Sequence, residues 1–131
     1  MLREHTIEIR VRYQETDGQG RIHHANYLTY FEMGRVELMR ACGHSYRELE
    51  ATGVLLVVAE AECQYHGAAL YDDLLHLRTR TERAKGARIE HHYELRRGSE
   101  LIVSGRTVIA CVNRSGKVQR LPAFLAADDL A

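Results

Sequence analysis

One segment of this chain, from about Ala25 to Cys42, carries an apolar stripe of the kind that a long α-helix buries. Its stripe residues recur at steps of three and four, namely Tyr27, Phe31, Gly34, Leu38 and Cys42. Asn26 is a candidate cap at the start, and Gly43 suits the left-handed conformation found after helix ends. A helix over this segment would be roughly 27 Å long. It cannot bury its stripe alone, so the rest of the chain must cover it.

Two further features of this helix lead to expectations about its surroundings. Gly34 in mid-helix costs roughly 1 kcal/mol relative to alanine, and one interpretation is that a strand or a second subunit approaches it closely. Glu32 with Arg35, and Glu37 with Arg40, form i,i+3 pairs of opposite charge. We expect these pairs to lie on a solvated helix face.

The remaining pattern is mostly that of β-strands. Five segments alternate in polarity or are continuously apolar: 5–13, 54–65, 74–83, 87–96 and 101–112. The last is apolar on both faces, which predicts an interior strand. Lys85-Gly86 and Arg97-Gly98-Ser99 are predicted hairpin turns. Short helices are predicted over 46–52, behind a Ser45 capping box, and over Pro122–Leu130.

The order of these elements predicts an α+β fold. A five-stranded antiparallel sheet, its last four strands forming a meander, would wrap around the central helix at about 25–42. Such a small sheet leaves exposed edges. Pairing of edges across a two-fold axis would cover them, so a homodimer or a larger assembly such as a homotetramer is expected.

Composition narrows the class of protein. The 131 residues suit a single domain spanning 1–131. Lys+Arg and Asp+Glu both number 18, so the formal net charge is zero and nothing calls for a nucleic-acid partner. No apolar run approaches the ~20 residues of a membrane span, and the charged N-terminus is unlike a signal peptide. Three cysteines without metal or redox spacing predict reduced thiols and a cytoplasmic location.

A dense motif of fixed residue types joins the first strand to the helix. It runs Arg12-Tyr13-x-Glu15-Thr16-Asp17-x-x-Gly20-x-Ile22-x-His24-x-x-Tyr27-Leu28-x-x-Phe31-Glu32-x-x-Arg35. This string resembles the signature of hotdog-fold acyl-CoA thioesterases, in the branch of the 4-hydroxybenzoyl-CoA and Tol-Pal-associated enzymes. Weaker matches follow at Tyr65-x-x-Ala68-Ala69-x-Tyr71-Asp72-Asp73, Gly105-Arg106-Thr107 and Arg120-Leu121-Pro122. The resemblance covers about residues 5–125, and it departs at Ala68, where the family often has proline.

The resemblance implies a hotdog fold, with dimers that often pair into tetramers and active sites between subunits. It also implies that Asp17 is the catalytic carboxylate and that the backbone N–H of His24 polarises the thioester carbonyl. An aspartate is ionised near neutral pH without special tuning, so Asp17 suits either a nucleophile or a general base. The competing interpretation is that Asp17-Gly18 is only a turn.

Other candidate site residues also have simpler interpretations. We expect Tyr13, Gly20 and Tyr27 to contribute to substrate binding, although core packing is favoured for Tyr27. The ring of His24 is as well explained by a loop histidine as by a substrate contact. Adjacent histidines on a strand point to opposite faces, so no metal site is predicted at His91-His92. No cofactor is predicted either.

Glu32 and Glu37 are rival catalytic acids, and basic residues near the hairpin turns are candidate contacts for coenzyme A phosphates.

These observations predict hydrolysis of an acyl-CoA thioester, or of the corresponding acyl carrier protein thioester, to a free acid and a thiol. Two alternatives stay open. A hotdog hydratase or dehydratase would use a histidine and a carboxylate around the Cα–Cβ bond of a β-hydroxyacyl thioester, and His24 keeps this alternative in view. A non-catalytic acyl-binding protein would not need the acid at Asp17. The sequence does not identify the acyl group.

Overall fold

The computed structural model describes residues 3–126, which form two helices and one five-stranded antiparallel sheet. The helices are α1 (Asn26–Ala41) and α2 (Tyr46–Ala51), and the strands are β1 (Glu4–Arg10), β2 (Leu55–Tyr65), β3 (Leu74–Lys85), β4 (Arg88–Arg97) and β5 (Glu100–Val112). A single turn of 3₁₀ helix, Tyr13–Glu15, follows β1. The predicted α+β architecture, with five antiparallel strands and one long helix, is confirmed.

The strand order is β1-β3-β4-β5-β2, so the predicted four-strand meander is wrong in one respect. Tight turns with positive φ at Gly86 and Gly98 join β3, β4 and β5 as predicted. β2 instead pairs with β5 at the far edge, because the longer connection 66–73 carries the chain across to β3. β5 is therefore an interior strand, as its two apolar faces indicated, and β1 and β2 are the sheet edges.

Helix α1 packs its stripe against the sheet. Tyr27, Phe31, Gly34 and Leu38 are buried, as predicted. A Cβ on Gly34 would collide with Thr79 and Leu77 of β3, so a strand does approach this glycine. The ring of Phe31 stacks on that of Tyr93 of β4, with centroids 4.2 Å apart. The turns after both helices use glycines with positive φ, Gly43 and Gly53, and Ser45 Oγ caps α2.

Four expectations need correction. Arg35 is not solvated: it is 8% exposed, and it turns towards Tyr46 and Tyr93, while Glu32 lies 3.9 Å away in solvent. The i,i+3 spacing missed this because Arg35 adjoins Gly34 on the sheet side of α1. Asn26 is no cap, since its Nδ2 donates to the Glu15 carbonyl and Ala25 occupies the N-cap position.

The other two corrections concern segment ends. β1 stops at Arg10 instead of continuing to Tyr13, because the chain turns into the 3₁₀ segment there. Within the predicted C-terminal helix, residues 123–125 form only a turn, closed by the Leu125 and Ala126 N–H groups on the Pro122 carbonyl. The remainder of that predicted helix lies outside the described residues.

Candidate active site

The loop that carries Asp17 is a closed antiparallel turn. The backbone N–H of His23 donates to the Glu15 carbonyl at 2.8 Å, Thr16 forms a β-bridge with Ile22, and the N–H of Asp17 donates to the Arg21 carbonyl at 2.8 Å. The turn closes with the Gly20 N–H on the Asp17 carbonyl at 3.1 Å, and Gly20 takes φ +81°. The turn and the acid are thus one feature, since this geometry fixes the backbone of Asp17.

The carboxylate of Asp17 is partly exposed at the tip of this turn. Its Oδ1 accepts the backbone N–H of Gln19 at 2.8 Å, the local bond typical of aspartate in a turn. Within residues 3–126 it forms no ion pair. Its other oxygen has no hydrogen bond there either. The side chain is therefore held from one side and open to a ligand or water from the other.

The entrance of α1 offers a backbone donor. Asn26 N–H donates to the His23 carbonyl at 2.9 Å, and Ala25 N–H donates to the ring Nδ1 of His23 at 3.1 Å. The His24 N–H, which precedes both of them in the chain, donates no hydrogen bond within the described part of the chain. The His24 carbonyl is held by the Tyr65 hydroxyl at 3.2 Å. An unpartnered N–H at a helix start suits a polarised carbonyl or an anion.

Glu15 is the residue at this site to which the sequence assigned no role. It is 7% exposed, and its carboxylate accepts bonds from Arg12 N–H (2.8 Å), Arg12 Nε (2.7 Å) and the Tyr30 hydroxyl (2.7 Å). Burial raises the pKa of Glu15, but the bonds from Arg12 and Tyr30 together outweigh it, so the pKa lies below its usual value. The alternation of β1 gave no signal for this burial, because the strand ends at Arg10 and Tyr13, between Val11 and Glu15, is exposed.

The predicted substrate-binding residues occupy different environments. Tyr27 is 3% exposed, so it belongs to the core as favoured. Burial raises its pKa. Tyr13 is 78% exposed and meets the ring of Tyr71 edge to face, with centroids 5.5 Å apart. Gly20 lies in the turn itself. Their contribution to substrate binding stays a prediction.

A third segment completes the neighbourhood. The connection 66–73 reaches the loop through Ile22 N–H on the Ala69 carbonyl at 2.9 Å and through a bridge between Arg21 and Leu70. It is tied to β4 by Arg97, whose Nη1 lies 2.6 Å from Asp73 Oδ2. The structure therefore brings together the turn of Asp17, the start of α1 and the connection 66–73.

The rival candidates lie elsewhere. Glu37 pairs with Arg40 at 3.2 Å on the exposed helix face, as predicted, and the Glu32 side chain is 66% exposed. His91 is buried, and desolvation followed by the charges of Arg35 and His92 lowers its pKa to about 3. Residues 3–126 contain no group of three or more metal-ligating side chains.

The basic residues near the hairpin turns are largely paired with acids. Arg88 lies 3.3 Å from Glu60, and Arg96 lies 2.8 Å from Glu94. These contacts pair two of the guanidinium groups with carboxylates on the surface of the sheet. The local charge thus resembles that of a solvated sheet face.

Comparison with known proteins decides the family. The model of the thioesterase-like superfamily matches residues 11–128. The chain belongs to this superfamily. It is a hotdog-fold thioesterase, as the motif between Arg12 and Arg35 indicated.

Individual relatives agree with this assignment. The thioesterase is 34% identical over 109 residues to the acyl-CoA thioesterase YbgC of Haemophilus influenzae, covering 82% of this chain and 80% of that protein. A probable thioesterase from Bartonella henselae superposes with TM-score 0.86 and 35% identity, covering 91% and 99% of the two chains. The DHNA-CoA thioesterase of Staphylococcus aureus gives TM-score 0.87 and 31% identity, with 90% and 80% covered. Among residues 3–126, no helix has the length and apolar character needed to cross a membrane.

Proposed function

We propose that this thioesterase hydrolyses acyl-CoA thioesters, with Asp17 as the catalytic carboxylate and the His24 N–H as the donor that polarises the thioester carbonyl. The observation that carries the proposal is the unpartnered His24 N–H at the entrance of α1, close in the chain to the open carboxylate of Asp17. Acyl transfer needs an attacking group and a donor for the developing oxyanion, and these two groups supply both.

Two routes satisfy the geometry. In one, an Asp17 oxygen attacks the thioester carbon, the C–S bond breaks to release coenzyme A, and water then hydrolyses the resulting anhydride. In the other, Asp17 takes a proton from water as that water attacks the same carbon; the C–S bond then breaks and the proton passes to the leaving thiolate. In both routes the His24 N–H stabilises the negative charge on the carbonyl oxygen. The net reaction in each is thioester plus water giving a carboxylic acid and a free thiol.

The relatives support coenzyme A as the thiol of the substrate. The named enzymes from H. influenzae and S. aureus are both thioesterases of coenzyme A esters. A panel of short aliphatic and aromatic acyl-CoAs, together with an acyl carrier protein thioester, tests this by following thiol release. Release from a coenzyme A ester is the expected result. Release from the carrier protein alone, or hydration of an enoyl-CoA without thiol release, would contradict the proposal.

We also propose a symmetric assembly in which β2 of one subunit pairs with β2 of another, giving a homodimer that can associate into a homotetramer. β2 is a sheet edge, and it exposes Val57 (42%), Val58 (52%) and Tyr65 (52%). Unpaired strand edges with apolar side chains favour pairing with another chain. Tyr65 also bonds the His24 carbonyl, so this edge adjoins the candidate site.

A cytoplasmic location completes the proposal. Cys42, Cys63 and Cys111 are thiols, and burial raises the pKa of Cys63 and Cys111, which keeps both protonated and unreactive. Reduced, unreactive thiols are typical of proteins that act in a reducing compartment. The proposed substrates are coenzyme A esters. Cell fractionation, followed by detection with an antibody against the native chain, tests the proposed cytoplasmic location.

A further inference from the structure

Glu15 connects the two groups on which the proposed chemistry depends. Its carbonyl oxygen accepts the His23 N–H at 2.8 Å and the Asn26 Nδ2 at 2.8 Å, which fixes the entrance of α1. Two residues further along the same backbone lies Asp17, and one residue beyond His23 lies His24. Any shift of Glu15 therefore moves the carboxylate and the donor relative to each other.

The carboxylate of Glu15 fixes this position from the other side. The Tyr30 hydroxyl, on the buried face of α1, donates to Oε1 at 2.7 Å, and Arg12 binds both oxygens through its backbone N–H and guanidinium. Tyr30 is 1% exposed, so its ring is held by the core. Desolvation and then the bond to Glu15 raise the pKa of Tyr30, which keeps it a donor. Glu15 is thus held by the core through Tyr30 of α1 and by Arg12 in the segment that follows β1.

A buried carboxylate is costly unless it is hydrogen-bonded, and an apolar residue would fill the same space without that cost. Its three side-chain bonds offset the cost and leave a rigid link between the turn and the helix. Catalytic groups need such rigid support, because a displacement of about 1 Å can lower a rate by a factor of ~100.

We propose that Glu15 is a positioning residue, which sets the separation between the Asp17 carboxylate and the His24 N–H through the Tyr30–Glu15–His23 connection. This inference rests on the proposed function, since it assigns Glu15 no contact with substrate. It acts on the rate of the chemical step and not on binding of coenzyme A.

The test compares Glu15→Gln with Glu50→Gln, a matched change at an exposed glutamate of α2. Rates are divided by the folded fraction, measured by circular dichroism at the assay temperature. Glu15→Gln is expected to lower kcat by about 10- to 100-fold while KM changes by less than about threefold. Glu50→Gln is expected to match the wild type. A purely structural role would reduce the folded fraction and leave kcat per folded molecule unchanged, which would overturn the inference.

Tyr30→Phe provides a milder second variant that keeps the core ring and removes only the hydroxyl. It is expected to lower kcat by about three- to tenfold. The double variant should lose no more than about twofold beyond Glu15→Gln alone, because both changes break one connection. Fully additive losses would contradict a shared connection. If Glu15→Gln does not fold, Tyr30→Phe with wild-type kcat still refutes the inference.

Failure of this inference is distinguishable from failure of the proposed function. If the wild type releases thiol, Asp17→Asn is inactive and Glu15→Gln has full kcat, only the positioning role is wrong. If the wild type hydrolyses no acyl-CoA, the proposed function fails first. If Asp17→Asn stays active while Glu15→Gln is inactive, Glu15 is itself the catalytic acid, and both proposals are overturned.

Discussion

Gly34 of α1 faces Thr79 of β3 so closely that no methyl group fits between them. The Thr79 Oγ1 is buried and has no hydrogen-bond partner within the described residues, so it makes no bond that holds the helix against the strand. The close approach of helix and strand therefore depends on the missing side chain of the glycine, and not on a bond between the two residues.

The first prediction follows from this contact. Alanine is favoured over glycine in a helix by ~1 kcal/mol, but an overpacked core costs about 1–3 kcal/mol. Gly34→Ala is therefore expected to lower the free energy of unfolding in urea. Thr29→Ala, at an exposed position of the same helix, is the control and should leave it equal or higher. Adding Thr79→Ala should restore part of the loss; no restoration would mean that Thr79 is not the obstacle.

The second prediction concerns His91, whose folded pKa of about 3 lies below the usual 6.5. The unfolded state then binds more protons than the folded state below pH 6.5. Stability from this neutral histidine is complete above pH 6.5 and is lost as the pH falls towards 3. The limiting slope is about 1.4 kcal/mol per pH unit.

The relevant neighbours of His91 are Arg35 from α1, Thr81 from β3 and His92 on its own strand. The positive charge of Arg35 opposes protonation of His91. His91→Leu is expected to flatten the fall in unfolding free energy between pH 7 and pH 5. His76→Gln, an exposed histidine, should retain the wild-type slope. If the unfolding free energy of His91→Leu falls with the same slope against pH as that of the wild type, His91 is protonated in the folded state as readily as in the unfolded state.

The third prediction separates the two tyrosines assigned to substrate binding. Tyr13 is exposed and Tyr27 is buried, so their substitutions should affect different quantities. Tyr13→Ala removes only a surface contact, so the melting temperature is expected to stay unchanged. It is expected to raise KM, because Tyr13 is a predicted substrate-binding residue. Tyr27→Ala should lower the unfolding free energy by about 3 kcal/mol, because it removes a buried aromatic side chain from the core. An unchanged KM in Tyr13→Ala would remove Tyr13 from the substrate site.

The fourth prediction concerns the β2 edge. A lysine within an exposed apolar edge strand disfavours pairing with another chain. Val58→Lys is expected to shift the mass measured by light scattering from that of an assembly to that of a monomer of 15.0 kDa. Val118→Lys, at an exposed residue outside the named strands, is the control and should keep the wild-type mass. An assembly that survives Val58→Lys would place the interface elsewhere.

The sequence predicted local structure well, because the side-chain patterns of helices and strands repeat every few residues. The steps of three and four along α1, the capping box of α2 and the alternation along the five strands placed these seven elements to within a few residues. The position of β2 was missed because alternation shows which face is buried but not which neighbour pairs. Arg35 was missed for a related reason, since its i,i+3 partner is the same whether the side chain faces solvent or the sheet.

The sequence also indicated a location for the candidate site, and the roles of its residues stay predictions. The motif singled out Asp17 and His24, and the structure shows the turn and the helix entrance that hold them. The role of Glu15 was out of reach, because its partner Tyr30 lies 15 residues further along the chain and the bond between them depends on how α1 packs. Supporting contacts of this kind arise from tertiary structure, which the spacing of residues does not encode.

The most direct test of the central claim is kcat for thiol release from acyl-CoA by Asp17→Asn. Asp72→Asn is the matched control, since Asp72 is exposed and its positive φ of 72° suits asparagine. The account predicts that Asp17→Asn lowers kcat at least about 100-fold with its fold intact, while Asp72→Asn keeps the wild-type rate. Wild-type thiol release by a folded Asp17→Asn would contradict it.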